Sequence, residues 1–429
     1  AEAGRPGVAN HKPVAPGAPL LYPPRPMSNE PPTAAAPRPT VRLKPRAHRR
    51  AMSGHPWIYS NEVRMTPEVK ALPAGTVVRV LADDGRALGT ALFNPHSLIS
   101  ARLVDREPEA VIDRAFLAAR LARALALRER LIDVPHYRLV HAEADGLPGT
   151  VVDRFGDVAV VQINTAGMER LTDEFLAALD EVLEPRAVLL KNDGPSRQLE
   201  GLDSYVRPAK GSLDGPIEVL ENGVRFLADP REGQKTGWFF DQRDNRAAVA
   251  RLADGARVLD LYSYAGGFAV QAAMAGAAEV VAIDRSQPAL DLATRAAELN
   301  GVSRRCRFRR GEAFDELQRL GDAGERFEIV IADPPAFIKS KKDLHQGARA
   351  YRKLARLAAA LVAPGGFLFL ASCSHHIDAA AFADEVRHGL AAANRSGRVL
   401  LSSGAAPDHP VHPFLPETAY LKGMLLQLD

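Results

Sequence analysis

The amino-acid sequence predicts an α/β protein in which an open, nucleotide-binding sheet fills the C-terminal half, after a small β-barrel and a small α+β domain. Three observations lead to this fold class. Residues 258–284 read as strand, glycine turn, helix, strand and acid, which is one half of a nucleotide-binding unit. Residues 75–104 alternate between apolar and polar side chains around turn signals, as short paired strands do. Residues 110–215 combine helix patterns with short strands.

The composition limits the functional classes. The chain has 429 residues, of which 46% are hydrophobic, and this length suits two or three globular domains. The net charge is +3, but residues 1–50 hold nine Lys and Arg against two Glu, so the remainder is slightly acidic. A globally basic nucleic-acid binder is therefore excluded, and any contact with RNA must use a local patch.

Cysteine usage and hydropathy predict the compartment. The two cysteines, Cys306 and Cys373, provide neither a disulfide framework nor a zinc set, which suits a reducing environment. No apolar run reaches about 18 residues, and no apolar segment typical of a secretory signal stands near the first residue. We expect a cytoplasmic protein with no membrane span and no metal. A homodimer is compatible with the sequence.

Residues 1–40 are rich in proline. They hold eleven of the 32 prolines, with Ala, Gly and Arg between them. Such a stretch cannot bury a core, so we predict a disordered tail that ends at residue 40.

Residues 41–109 predict the small barrel, with a basic run on its flank. Strands are expected at 75–81, 87–93 and 98–104, with a turn between the first two. The basic run precedes them, and we expect its arginines to contact RNA phosphates: Arg46, Arg49 and Arg50. The pattern R-x-x-x-G-H-P-W-I-Y that starts at Arg50 resembles the opening of a PUA-type RNA-binding domain.

Residues 110–215 predict the α+β domain. A strong helix pattern covers 110–131, an amphipathic helix covers 171–183, and four short strands are expected around them. The simplest role for this domain is that of a spacer.

The segment before the nucleotide-binding unit combines a hairpin with an unusual loop. The hairpin turns at Asn222-Gly223, and residues 233–246 then mix flexible, cationic, aromatic and acidic side chains. This loop is either a linker before a capped helix or a strap around the edge of a cofactor. In the second case its candidate contacts are Thr236, Asp241 and Arg243.

The glycine turn indicates which nucleotide is bound. The glycines are adjacent and do not follow the G-x-G-x-x-G spacing of a dinucleotide site, and Asp260 precedes them. A carboxylate there would repel a pyrophosphate but suits a cationic sulfonium ligand with an amino group. The pattern D-L-x-x-x-x-G-G is similar to the S-adenosylmethionine (SAM) site of class I methyltransferases, and the alternative is a plain glycine turn without a cofactor. Asp284 would accept from the ribose hydroxyls and Glu312 from the adenine amine. The predicted cofactor contacts in this half are Asp260, Tyr262, Tyr264, Gly266, Gly267, Phe268, Asp284, Arg285, Glu312 and Ala313.

The fourth and fifth strands of the sheet predict the chemistry. They end at Asp333-Pro-Pro335 and at Cys373, and neighbouring parallel strands would place both ends side by side. A thiolate that adds to C6 of cytosine makes C5 nucleophilic toward a methyl donor, and an acid near N3 offsets the charge on the ring. We expect a cationic neighbour, with His375 as a candidate, to lower the pKa of Cys373. The alternative is an inert, buried thiol.

Several motifs together resemble one family. They are Gly54-His-Pro-Trp57, Glu143-Ala-Asp-Gly-Leu-Pro-Gly149, Gly233-Gln-Lys-Thr-Gly237, Asp241-Gln-Arg243, Asp333-Pro-Pro335, Ser372-Cys-Ser374, Asp408-His-Pro410 and Tyr420-Leu-Lys-Gly423. From Val41 onward the chain is similar to the RlmI-type 23S rRNA cytosine-C5 methyltransferases.

The resemblance implies a PUA domain (41–109), a middle α+β domain (110–215) and a Rossmann-like class I methyltransferase domain (216–429). It implies large-subunit rRNA as the partner, SAM as the cofactor, Cys373 as nucleophile and Asp333 as its partner. A well-known branch has lysine after the paired prolines, where this chain has Ala336; nearby lysines could replace it. RNA contacts are then expected from Pro334, Pro335 and Lys339.

Two other functions are open at this point. One is a methyltransferase for an exocyclic base amine, which would also use an acid followed by two prolines. The other is an RNA-binding ribosome-assembly protein without turnover.

Overall fold

The computed structural model describes residues 38–429. The predicted tail lies outside the described residues except at its end. There Arg38 donates to Thr90 Oγ1 and to the carbonyl oxygen of Pro108, both at 2.8 Å, and Thr40 begins the first strand. The folded part thus starts before the predicted boundary, because Arg38 is anchored on the first domain.

The first domain is built on a five-stranded sheet. Its elements are β1 (Thr40–Arg42), α1 (His48–Met52), β2 (Trp57–Ile58), α2 (Pro67–Lys70), β3 (Thr76–Leu81), β4 (Ala87–Phe93) and β5 (Ala101–Asp105). The strand order is β1-β3-β4-β5-β2, in which only β1 and β3 are parallel. β5 starts three residues later than predicted. The reason is a closed turn, in which Asn94 N–H donates to the Ser100 carbonyl oxygen and the Asn94 side chain accepts from His96 N–H.

The middle domain packs its helices on a second five-stranded sheet. Its elements are α3 (Arg114–Leu131), β6 (His136–His141), β7 (Thr150–Phe155), β8 (Val158–Ile163), α4 (Ala166–Arg170), α5 (Thr172–Leu183), β9 (Ala187–Asn192), α6 (Ser196–Leu199) and β10 (Tyr205–Lys210). The strand order is β10-β9-β8-β7-β6. α3 begins four residues later than predicted because the Asp113 carboxylate caps it, accepting from Phe116 N–H at 2.9 Å.

The last domain contains a hairpin and a seven-stranded sheet. Its elements are β11 (Ile217–Glu221), β12 (Val224–Ala228), α7 (Arg243–Ala250), β13 (Arg257–Leu261), α8 (Gly267–Met274), β14 (Glu279–Asp284), α9 (Gln287–Leu299), β15 (Cys306–Arg310), α10 (Ala313–Asp322), β16 (Phe327–Ala332), α11 (Leu344–Leu361), β17 (Val362–Ser372), α12 (Ala379–Ala392), β18 (Gly397–Ser403) and β19 (Lys422–Leu428). The sheet order is β15-β14-β13-β16-β17-β19-β18, with β19 antiparallel to both of its neighbours.

This sheet confirms the predicted α/β class. Strands β13 to β17 are parallel. Successive strands are added on one side of β13 up to β15 and on its other side from β16, so the strand order reverses between β13 and β16. Ligands of such sheets bind outside the carboxyl ends of the strands at that point. One hydrophobic cluster covers each face of the sheet.

The middle domain is not a loosely tethered spacer. Phe155, Val158 and Leu189 of its sheet belong to the same buried cluster as Trp238 and Phe240 of the last domain. The two domains therefore share one hydrophobic core and hold the loop 233–246 between them.

None of the helices in residues 38–429 combines the length and the apolar character needed to cross a membrane. In the same residues, no group of three or more His, Cys, Asp and Glu side chains is arranged to hold a metal ion.

Candidate active site

The turn between β13 and α8 forms the floor of the predicted cofactor site. Tyr262 and Tyr264 adopt left-handed backbone conformations, with φ of 61° and 50°, and Gly266 follows with φ of 80°. The Asp284 carboxylate ties this turn to the end of β14, because it accepts from Tyr264 N–H at 2.9 Å and from Ser286 N–H at 2.8 Å. Asp284 is half-buried, so its carboxylate stands where a ribose could reach it.

The two glycines of the turn are required by the packing of the protein itself. A Cβ on Gly266 would lie 2.8 Å from Ala293 Cβ, and one on Gly267 would lie 2.6 Å from Arg246 Nε. The tight turn is as predicted. The close approach at these two positions, however, is made by α9 and by an arginine side chain.

Asp260 supports the turn from below. It is 1% exposed and accepts from the Ser263 hydroxyl at 2.7 Å and from Ala269 N–H at 3.1 Å. Burial raises the pKa of this carboxyl to about 7. This placement differs from the expectation that Asp260 faces the cationic ligand, since the carboxyl is enclosed and its Oδ2 accepts both hydrogen bonds inside the fold.

Two other predicted contacts lie mainly in the core. Phe268 packs against Phe369, with ring centroids 5.3 Å apart, and Ala313 belongs to the cluster on the opposite face of the sheet. Both residues are 6% exposed. Their side chains fill the protein interior because helices α8 and α10 turn these positions toward the sheet.

The open rim of the site is acidic and aromatic. The Tyr262 ring lies 6.5 Å from the Phe337 ring. Burial raises the pKa of the Tyr262 hydroxyl, and the charge of the exposed Glu312 raises it further. Arg285 is exposed beside Asp284. An acid for the ribose, an acid for the adenine amine and aromatic faces on one edge of the sheet fit an adenosine ligand.

Asp333 and Cys373 follow neighbouring strands, as predicted. Ala332 of β16 is opposite Leu370 of β17, and the Cys373 sulfur lies 4.0 Å from the carbonyl oxygen of Pro334. The structure thus brings the thiol and the carboxyl to one place at the carboxyl edge of the sheet.

Both groups prefer their protonated forms. Burial, reinforced by the neighbouring Asp241, raises the pKa of the Asp333 carboxyl to about 7. Burial also raises the pKa of the Cys373 thiol, which corrects the expectation of a lowered value. The Lys235 ammonium opposes this rise. His375 is not that cation, because partial burial lowers its own pKa.

The loop 233–246 lies over this edge. Tyr264 binds it, because its hydroxyl accepts from Gln234 N–H and donates to the Gly237 carbonyl oxygen, both at 3.2 Å. Lys235 is exposed, and its ammonium stands 4.8 Å from the centroid of the Phe239 ring. This position agrees with the prediction that residues 233–246 form a strap, a segment that crosses the edge of the cofactor site, and not a plain linker.

The three cofactor contacts predicted in the loop are used elsewhere. Thr236 is fully buried and donates to Asp153 of β7, while Arg243 donates to the His136 carbonyl oxygen. Asp241 accepts from the Tyr420 hydroxyl, on the side of the thiol. Thr236 and Arg243 thus join the last domain to the middle domain, which differs from the prediction that they line the cofactor. Asp241 faces the edge of the sheet that carries Asp333 and Cys373, called the catalytic edge below for its proposed role, and its contact with the cofactor stays a prediction.

The basic run predicted to meet RNA divides into two kinds of arginine. Arg46 and Arg49 are exposed. Arg50 instead pairs with Glu62 at 2.9 Å, donates to the Trp57 carbonyl oxygen and lies over the Tyr59 ring. Arg50 therefore stabilises the first domain, which differs from its predicted role.

The Asp-Pro-Pro stretch and the residues after it are only partly exposed to solvent. Pro335 and Lys339 are exposed, whereas Pro334 is buried.

A cavity of about 890 Å³ lies between the hairpin, α7, α8 and β18, and contains none of the predicted site residues.

Two family models match the chain. A model described as an S-adenosylmethionine-dependent methyltransferase matches residues 203–403, and a PUA-like domain model matches residues 41–106. The chain is 37% identical over 374 residues to "Ribosomal RNA large subunit methyltransferase I" of Erwinia tasmaniensis, a match that covers 86% of this chain and 94% of the relative. The protein of the same name from Shewanella amazonensis is 36% identical, over 90% of this chain and 99% of its own length.

The chain belongs to the ribosomal RNA large subunit methyltransferase I family. Its cofactor is SAM, and the predicted combination of a PUA-like domain with a SAM-dependent methyltransferase domain is confirmed.

Solved structures agree on the fold. A putative SAM-dependent methyltransferase from Streptococcus mutans superposes with a TM-score of 0.77 at 20% identity, over 91% of this chain and all of the other. SMU.776, a putative methyltransferase complexed with SAH, gives a TM-score of 0.78 at 20% identity with the same coverage.

Three further residues lie at this edge without being singled out by the sequence: Lys235, Phe337 and Tyr420. Lys235 and Tyr420 stand within motifs of the family resemblance, whereas no motif contains Phe337. The motifs Gly233–Gly237 and Tyr420–Gly423 were the available signals. Their distance from Cys373 in sequence hid their proximity in space.

Proposed function

We propose that this chain methylates C5 of a cytosine in large-subunit rRNA, in the cytoplasm, through a covalent adduct with Cys373. The curated relatives are named for the ribosomal RNA of the large subunit, which supports the substrate class. Bound SAM supplies the methyl group as an electrophile.

The observation that carries the proposal is the meeting of a thiol and a carboxyl at the ends of two adjacent strands. Methylation of an amine needs no thiol at the site. Addition to C6 of cytosine needs both a sulfur nucleophile and a proton donor near N3. Cys373 and Asp333 meet at the end of two adjacent strands, and a pKa of about 7 lets Asp333 hold a proton near neutral pH.

The residues divide the reaction between them. The Cys373 sulfur forms a bond to C6 while Asp333 donates a proton to N3, which turns C5 into an enamine carbon that accepts the methyl group. The thiol must first lose its proton, and the Lys235 ammonium favours the thiolate. Removal of the C5 proton then restores the ring and releases the sulfur.

RNA contacts are proposed for exposed groups on two domains. Arg46 and Arg49 lie on the PUA-like domain, while Pro335 and Lys339 are exposed after β16, in the segment whose Pro334 carbonyl oxygen contacts the thiol. Lys339 is three residues beyond Ala336, so it can supply the cation that a lysine directly after the prolines supplies in other members. Phosphate contacts of this kind fix the register of the RNA.

Trapping with a modified base tests the chemistry. RNA that carries 5-fluorocytosine should capture the parent enzyme in the presence of SAM, because fluorine cannot leave as a cation. Cys373→Ala should form no adduct and should still bind SAM. Cys306→Ala is the matched control, because Cys306 begins β15, the edge strand four positions away from β17, and should be dispensable.

The outcome separates the rival functions. A parent enzyme that forms no adduct on a verified substrate, or a Cys373→Ala variant that still methylates carbon, contradicts the proposal. Methylation on an exocyclic nitrogen would identify an amine methyltransferase, and RNA binding without methyl transfer would identify an assembly protein.

A further inference from the structure

The Asp241 carboxylate is a buried group with spare capacity to accept a proton. It is 5% exposed, and its Oδ2 accepts from the Tyr420 hydroxyl. Its Oδ1 has no hydrogen-bond partner within residues 38–429. A buried acceptor without a partner destabilises the fold, so its persistence in a folded protein calls for an explanation.

Two observations place Asp241 near Asp333 and Cys373. The Tyr420 ring lies 5.5 Å from the ring of His375, which is two residues after Cys373. The charge of Asp241 acts on the pKa of both Cys373 and Asp333, so the carboxylate lies within electrostatic reach of the two groups.

The surroundings of the two aspartates separate their protonation states. Burial opposes the ionised form of Asp241, but His409, Lys235, the Tyr420 hydroxyl and Arg138 outweigh it and lower the pKa of this carboxyl. Asp333 keeps its proton up to about pH 7. Two neighbouring carboxyl groups held in different protonation states are typical of an acid and a base that serve one reaction.

We propose that Asp241 is the base that removes the C5 proton from the methylated cytosine adduct. Its oxygen takes the proton, and the electron pair of the C5–H bond forms the C5–C6 double bond. The C6–S bond breaks, and its electron pair returns to the sulfur of Cys373. Asp333 recovers its proton from N3, and Asp241 releases the C5 proton to solvent. This assignment rests on the proposed cytosine-C5 reaction.

The test is a search for a methylated adduct that does not resolve. Asp241→Asn keeps the size of the side chain and an acceptor for Tyr420, but removes the base. With natural RNA and methyl-labelled SAM, this variant should accumulate a labelled protein–RNA species on a denaturing gel. Release of methylated RNA should fall at least a hundredfold, as expected for loss of general-base catalysis.

Two controls make the result decisive. Asp241→Asn should trap 5-fluorocytosine RNA as fast as the parent, because trapping precedes proton removal. Asp244→Asn, which removes an exposed carboxylate three residues later, should leave turnover unchanged. Parental release of product by Asp241→Asn overturns the assignment. Loss of fluorocytosine trapping also overturns it, because the carboxylate would then act in folding or binding. A parent that never traps 5-fluorocytosine rejects the proposed reaction itself.

Discussion

At the residue scale, the surroundings of each carboxyl group set its pKa and its accessibility, and thereby the role that it can have. Asp260 and Asp333 both have pKa values raised to about 7 by burial, but they do different things. Asp260 is enclosed by the turn that it supports, whereas Asp333 is half-buried at the end of β16. Asp241 differs from both, because surrounding positive charge and a phenol stabilise its ionised form. Side-chain type alone could not have separated these roles.

The raised pKa of Asp260 predicts how stability changes with pH. In the unfolded chain this carboxyl ionises near pH 4, while in the folded protein it stays protonated up to about pH 7. The unfolded state is therefore favoured increasingly as pH rises from about 4 to 7, by about 1.4 kcal/mol per pH unit from this group. Asp260→Asn should remove this decrease in the free energy of unfolding, which amounts to up to about 4 kcal/mol between pH 4 and pH 7. Chemical denaturation at pH 4.5, 6.0 and 7.5 measures it.

The comparison needs a carboxyl that lies outside the core. Asp315 is exposed on α10, so Asp315→Asn should track the parent at every pH. If the difference between Asp260→Asn and the parent does not change with pH, the carboxyl is ionised in the folded protein and the argument fails.

At the element scale, the β13–α8 turn shows how a short motif is constrained by packing. Gly267 allows the Arg246 side chain to cross the start of α8, and Arg246 forms a buried pair with Glu221 of the hairpin. The motif therefore couples the cofactor turn to the hairpin, which precedes it in the chain.

Gly267→Ala should test this coupling. The new methyl group would lie 2.6 Å from Arg246 Nε, a buried atom that cannot move freely. We expect a loss of about 1–3 kcal/mol in stability, as for other overpacked sites, and weaker SAM binding. Thermal unfolding and calorimetry with SAM provide the two measurements.

Gly321→Ala is the matched substitution. Gly321 lies in helix α10, where a Cβ would meet only Leu361 at 4.0 Å. This change should be neutral or stabilising, since alanine favours helices. Equal unfolding temperatures for the two variants would show that the space around Gly267 can adjust.

At the scale of the whole molecule, the middle domain and the last domain together hold the segments that surround Asp333 and Cys373. The middle domain holds the strap through Thr236 and Asp153, and Arg128 donates to the carbonyl oxygen of Asp408 at 2.8 Å. The strap, the thiol and Tyr420 therefore depend on contacts with the middle domain. This arrangement accounts for the motifs that lie outside the nucleotide-binding unit.

The division of the basic run predicts the salt dependence of RNA binding. Arg46→Ala and Arg49→Ala together should weaken binding and reduce the slope of log K against log salt concentration by about 1.4 to 1.8, for two phosphate contacts. Arg50→Ala should instead lower the unfolding temperature, because it breaks the pair with Glu62. Titration of RNA at several salt concentrations, beside thermal unfolding, distinguishes the two effects.

An exposed arginine on another domain provides the reference. Arg130 is exposed on α3, and Arg130→Ala should keep the parental slope. An unchanged slope in the Arg46 and Arg49 double variant would place the RNA elsewhere on the protein.

The sequence by itself determined the architecture and the placement of Asp333 beside Cys373. Apolar periodicity and glycine turns specify strands β13 to β17 within a few residues, because burial of apolar side chains and left-handed turns are local demands. Asp333 and Cys373 follow neighbouring parallel strands, and the carboxyl ends of such strands meet at one edge of the sheet. Only the tertiary structure decided which side chains are free to react. Burial, partner geometry and the approach of distant segments turned Asp260 into a support, Arg50 into an ion pair and Asp241 into a proton acceptor, since each depends on residues far away in the chain.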